Sequence, residues 1–133
     1  MNYKLKTSAK CQKTLEELKA KTGINPNILC RYAISLSVLE DTPVDIYKVK
    51  DSTGQEFNRQ VLTGRYDSVI KAIIIQKEYE HLGRALTDEE YFPTYIKAHF
   101  ERGVELLKSS YDLTGNKDKF LINLARTQNG GHL

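Results

Sequence analysis

A mainly α fold, entered through a short amino-terminal strand, is what this sequence predicts. Three observations predict it. Apolar residues recur at helical spacing over most of the chain, helix caps and stops punctuate those runs, and only the first residues alternate as a strand does. With 133 residues, 40% of them hydrophobic and 28% charged, the chain lies where one core forms and two rarely do, so we expect a compact helical domain over residues 1–133.

Asn2 to Thr7 alternates, which puts Tyr3 and Leu5 on one face of an extended segment and Lys4 and Lys6 on the other. Ser8 is placed to cap a helix whose positions Cys11, Leu15, Leu18 and Thr22 form one narrow stripe, and Gly23 suits its carboxyl end. A second helix opens at Asn25 and Pro26, where a proline loses no needed hydrogen bond. It runs to about Glu40, with Ile28, Leu29, Tyr32, Ala33, Leu36 and Leu39 as its apolar face and Val38 beside it. Residues 41–66 lose helical periodicity and hold Pro43, Gly54 and Gly64. A structureless loop of that length is unusual in a compact domain, so we read an ordered connection anchored by Phe57, Val61 and Leu62.

The remainder, 67–127, is helical again. Asp67 is placed to cap a helix bearing Val69, Ile70, Ile73 and Ile74 and ending near Gly83, although the β-branched run also permits a strand. Thr87 and Glu90 form a capping box, and the run Asp88, Glu89, Glu90 suits the positive end of a helix dipole. Pro93 closes a short first turn or starts the main run, in which Ile96, Phe100, Val104 and Leu107 make a stripe. Asn116 caps a last helix with Phe120, Leu121 and Leu124, and residues 128–133 are expected to fray.

Net charge is only +3, but it is unevenly placed. Residues 1–31 hold seven basic groups against two acidic ones, net +5, while the other 102 residues hold 13 against 15, net −2. One end therefore attracts polyanions, or carries a lysine-rich helix that is merely solvated. Nowhere do about 18 uncharged apolar residues run together, and Met1 to Lys10 has no apolar run behind a charged start, so no membrane span or signal peptide is expected. Two cysteines on apolar helical stripes, Cys11 and Cys30, fit a reducing cytoplasm and a structural role.

Chemistry is mostly absent from the pattern. His81, His99 and His132 share no ligand spacing with Cys11 or Cys30, so no metal is expected. Gly54 and Gly64 lack the lysine and serine of a phosphate loop, no nucleophile elbow occurs, and the three carboxylates at 88–90 serve a dipole. We expect no cofactor and no catalytic centre. Strand, helix, turn and capped helix over residues 1–40 instead follow the order of a ribbon-helix-helix unit, in which two copies pair strands and the second helix faces a phosphate. Lys4 and Lys6 would then face DNA, although lysine is a point charge that reads bases poorly.

The stretch Lys21-Thr-Gly-Ile-Asn-Pro-Asn-Ile-Leu-Cys-Arg31, with the helix Ala33 to Val38 behind it, resembles the DNA sulfur modification protein DndE family. Gly54-Gln-Glu-Phe-Asn-Arg59 and Leu62-Thr-Gly-Arg-Tyr-Asp67 look like its second signature, and the likeness spans roughly residues 3–107. It implies a small helical, non-catalytic subunit of the bacterial phosphorothioation complex, contacting duplex or nicked duplex DNA. It also implies sulfurtransferase-like and ATPase partner subunits and leaves a homo-oligomer open. The candidate DNA contacts are Lys4, Lys6, Lys10, Lys13, Lys19, Lys21, Asn25, Asn27 and Arg31, with Arg59 and Arg65 of the second signature. Gln55, Asn58 and Gln60 near those arginines contact phosphate or a partner, or else Arg59 pairs with Glu56 or another carboxylate to fold the connection. The stretch from Tyr111 to Leu133 departs from the shorter family pattern. A scaffold without DNA affinity, a ribbon-helix-helix repressor, and sulfur transfer by Cys30 are the rival readings.

Overall fold

A computed structural model describes residues 3–128, with side chains to residue 125. The expected fraying of 128–133 falls almost wholly outside those residues. The element order is β1 (Lys4–Lys6), α1 (Ala9–Thr22), α2 (Pro26–Val38), β2 (Glu56–Asn58), α3 (Arg59–Leu62), a turn at Gly64–Tyr66, α4 (Asp67–Leu82), α5 (Ile96–Thr114) and α6 (Lys117–Gln128). The mainly α class read from the sequence is the class observed.

Local chemistry sets most boundaries. Ser8 caps α1 by accepting from the Cys11 amide at 3.0 Å, and Gly23 ends it in the left-handed region. Thr87 and Glu90 exchange the two capping-box bonds, at 3.0 and 3.2 Å. Asn116 accepts from the Asp118 and Lys119 amides at the start of α6. Pro93 follows a cis peptide in the irregular segment Glu90–Tyr95, and the main helix begins after it at Ile96.

α5 is the spine. Its stripe Ile96, Phe100, Val104 and Leu107 is buried, and α2 lies along it. Close approach is possible because residue 103 is glycine: a Cβ there would overlap the Ala33 carbonyl and sit 2.7 Å from the Ala33 Cα. α1 packs its predicted stripe on the same spine. α6 returns from the far end of α5 to bury Phe120 and Leu124, with the Phe120 ring edge-on to Tyr111 at 5.4 Å.

The structure revises four expectations. β1 does pair, but with β2 of its own chain: the two run antiparallel with Leu5 opposite Phe57, and Phe57 meets Phe100 edge-on at 5.6 Å. The buried face of α2 is Leu29, Cys30, Ala33, Ile34 and Ser37, turned about one residue from the predicted stripe, so Ile28 and Leu39 are exposed. Small residues at 30, 33 and 37 let α5 come close, and Ser37 is bonded from the α5 side, which outweighs the larger aliphatics. Phe57 and Leu62 anchor the connection as expected, whereas Val61 is exposed. On α4, Asp67 is the first helical residue and not a cap, and of the predicted core positions only Ile74 is fully buried.

Candidate nucleic-acid interface

The β1–β2 ribbon sits beside the amino end of α2. Lys4, Asn27, Gln55 and Asn58 line one concavity with Pro26 and Phe57, so the two family-like segments meet there. Backbone bonds beyond the three-residue strands hold the ribbon, Arg59 N to Tyr3 O at 2.7 Å and Thr7 N to Gln55 O at 2.9 Å. Gly54 lies so close to Thr7 and Ser8 that no side chain fits.

Two helix starts differ in what occupies them. At α1, protein carboxylates take the positive end: Glu101 accepts from the Ser8 amide at 2.9 Å and Asp51 from the Ala9 amide at 3.1 Å. At α2, Asn25 holds the cap position with extended backbone but makes no side-chain cap bond. Lys4 and Glu56 line the concavity that Pro26 and Asn27 share at that second, positive end.

Lys6, Lys13 and Lys19 are exposed. Lys4 lies 3.6 Å from Glu56, and Lys10 lies 3.3 Å from Glu105, all with side chains at least 45% exposed. Exposed pairs of this kind contribute about 0–1 kcal/mol and exchange readily for a phosphate. Lys21 rests over the Tyr111 ring at 5.4 Å. At about 100° per residue, Lys10, Lys13 and Lys21 fall within about 80° of the α1 circumference with Glu17 among them, while Lys19 lies on the far flank. The basic segment is thus a mixed surface and not a single lysine stripe. Lys117, which charge reading of the first 31 residues could not reach, comes beside the α1–α2 turn, its Nζ 3.8 Å from where a Cβ on Gly23 would stand.

The arginines are placed otherwise. Arg59 donates to both Asp67 oxygens at 3.0 and 2.8 Å and to both Asp88 oxygens at 3.1 and 3.0 Å, with Tyr91 and Phe92 under its guanidinium. Four of its five donors are committed, so the carboxylate pairing expected as one alternative is formed, with Asp67 and Asp88 and not with Glu56. Arg31 donates to the Leu62 and Val61 carbonyls at 3.1 and 3.2 Å and pins α3 to α2. Arg65 is exposed and donates to the Tyr66 hydroxyl.

One polar cluster escaped sequence reasoning. Arg102 Nε donates to Ser37 Oγ at 2.8 Å, and Ser37 Oγ lies 2.8 Å from His99 Nδ1. Arginine only donates, so Ser37 Oγ accepts from Arg102; on the far side of the ring His99 Nε2 lies 3.8 Å from Glu78 Oε2, and neither of those two buried atoms has a hydrogen-bond partner among the described residues. Ser37, His99 and Glu78 are at most 3% exposed, and the bonds of Ser37 to His99 and Arg102 tie α2 to α5, with Glu78 of α4 beside them. Cys11 and Cys30 are buried, and burial pushes both thiols up, away from the thiolate that sulfur transfer needs. Among the described residues no group of three or more His, Cys, Asp or Glu side chains is arranged to hold a metal ion, and no helix is long and apolar enough to cross a membrane.

Comparison with known proteins bears on the same residues. The sequence model of the family described as "DNA sulphur modification protein DndE" matches residues 4–115. Among solved structures, DndE from Escherichia coli B7A, described as involved in DNA phosphorothioation modification, superposes with a TM-score of 0.62 at 21% identity, over 80% of this chain and 98% of its own. No curated protein sequence matches the chain.

Proposed function

The chain belongs to the DndE family of DNA sulphur modification proteins, and from that premise we propose that it is a non-catalytic subunit that holds duplex DNA, intact or nicked, by its backbone. It works beside the sulfurtransferase-like and ATPase subunits that the family resemblance implies, and those partners supply the chemistry. Lys4, Lys6, Lys13 and Lys19 make the principal phosphate contacts, with Lys10, Lys21, Asn25 and Asn27 around them. Arg65 stands at the edge of this assignment, and Arg31 and Arg59 serve the fold.

The observation that carries the reading is the meeting of Lys4 and Asn27 at the uncapped positive end of α2, beside a ribbon that also bears Lys6. Positive helix ends and lysines both favour phosphate oxygens, and neither distinguishes one base from another. The in-chain pairing of β1 with β2 argues against a repressor whose ribbon is shared by two copies.

Lysine acetylation in the presence of duplex tests the assignment. At low ionic strength, intact and nicked duplexes should each protect Lys4, Lys6, Lys13 and Lys19 while leaving Lys77 on α4 reactive, and added salt should restore reactivity. Protection spread evenly over all lysines, or none, would overturn it.

A further inference from the structure

α4 carries five β-branched aliphatics between residues 69 and 75, yet only Ile74 is buried; Val69 is 57% exposed and Ile73 47%. These two line an open groove of about 470 Å³ whose opposite wall is α2, contributing Ile28, Ile34 and Val38. Leaving such surface in water forgoes roughly 25 cal/mol per Å² of burial, and contiguous apolar patches of this kind mark contact sites. At one end stands Tyr66, with Arg31 and Arg65 over its ring at 5.4 and 5.0 Å. Among the described residues Arg65 faces no carboxylate, and the one charged side chain lining the groove is cationic.

Both walls are helix interiors whose backbone groups are already bonded along the helix. An extended peptide laid there would leave its own amides and carbonyls unpaired against apolar side chains, at a cost of several kcal/mol. Nucleic acid would meet an apolar floor. A helix satisfies its backbone internally and offers a stripe at spacings of three and four residues. Ile28 to Val38 spans about 15 Å, so roughly three turns of helix fill the length.

We propose that the α2–α4 groove receives an amphipathic α-helix of a partner protein, whose apolar stripe covers Val69 and Ile73 and whose acidic amino-terminal turn pairs with Arg65. This surface is independent of the lysines assigned to DNA.

Two labelled 15-residue peptides test it by fluorescence anisotropy with the full chain. Both carry a leucine stripe on an alanine and glutamine background; one has two glutamates at its amino end, the other two lysines. The glutamate peptide should bind at least tenfold more tightly, Ile73→Glu or Val69→Glu should weaken it at least tenfold, and Arg65→Glu should reverse the preference between the peptides. That reversal cannot arise from a difference in peptide helicity, and unchanged far-ultraviolet circular dichroism shows that each variant folds. Equal binding of the two peptides, or binding that survives both α4 substitutions, would overturn the proposal. So would sedimentation velocity showing a wild-type oligomer that Ile73→Glu dissociates, with no peptide binding, since a second copy would then cover the groove.

Discussion

Replacing Arg59 with methionine separates the two roles that sequence allowed for this residue. Methionine keeps an aliphatic stem against Tyr91 and Phe92 but removes four hydrogen bonds of 2.8–3.1 Å to Asp67 and Asp88. Breaking a fully buried pair costs about 3–5 kcal/mol. Here the Asp67 and Asp88 side chains are 26% and 30% exposed, Asp67 keeps Thr63 and Tyr91, and Asp88 keeps Lys71, so we expect about 2–3 kcal/mol. For a chain of this length that is a fall of roughly 8–10 °C in Tm, readable by urea or thermal unfolding. The pH dependence has a definite sign. Burial pushes the Asp67 carboxyl up, but bonds from Arg59 and Thr63 outweigh it and hold it below the usual range. Bonds from Arg59, then Lys71, hold Asp88 well below that range. Carboxylates depressed in the folded state stabilise it above their unfolded pKa of about 4 and lose that contribution as pH falls. The gap between wild type and Arg59→Met should therefore be full above about pH 5 and shrink steadily towards pH 2. Unchanged stability, together with a weakened salt dependence of DNA binding, would refute the tie and return Arg59 to the phosphate contacts.

Gly103→Ala should destabilise by about 2 kcal/mol or more even though alanine favours a helix by about 1 kcal/mol, because α2 must move off α5; urea unfolding gives the sign. Ser37→Ala leaves Arg102 Nε and His99 Nδ1 without their shared partner and should cost about 2 kcal/mol in the same assay. Cys30→Ala should leave the phosphorothioate content of cellular DNA unchanged at matched protein levels, and a loss there would revive sulfur transfer by this thiol.

Caps and single-faced helices were legible in the sequence because their causes are local. Ser8, Thr87 with Glu90, Asn116 and the glycine stops act within one turn, and the stripes of α1 and α5 face a core that lies to one side. The buried face of α2 depends on Gly103, about 70 residues from Ala33 and in another element, so no local pattern carries it. The aliphatics of α4 have the spacing of core residues, yet Val69, Ile70 and Ile73 face a groove and only Ile74 enters the core, a division that periodicity cannot show. Arg59 and its carboxylates lie 8 and 29 residues apart and Ser37 and His99 lie 62 apart, so only packing brings these groups together. Lysine positions were readable as charge, whereas the glutamates that interrupt them, Glu56 and Glu105, come from β2 and α5.

The salt dependence of duplex binding tests the central claim most directly. Affinity of the wild-type chain and of Lys4→Ala/Lys6→Ala/Lys13→Ala/Lys19→Ala should be followed across monovalent salt, on several unrelated sequences. Each lysine that meets a phosphate contributes about 0.9 to the slope of log K against log salt, so the variant should lose roughly two to four from the wild-type slope, equally on every sequence. An unchanged slope, or a loss confined to one sequence, would contradict backbone binding through these lysines.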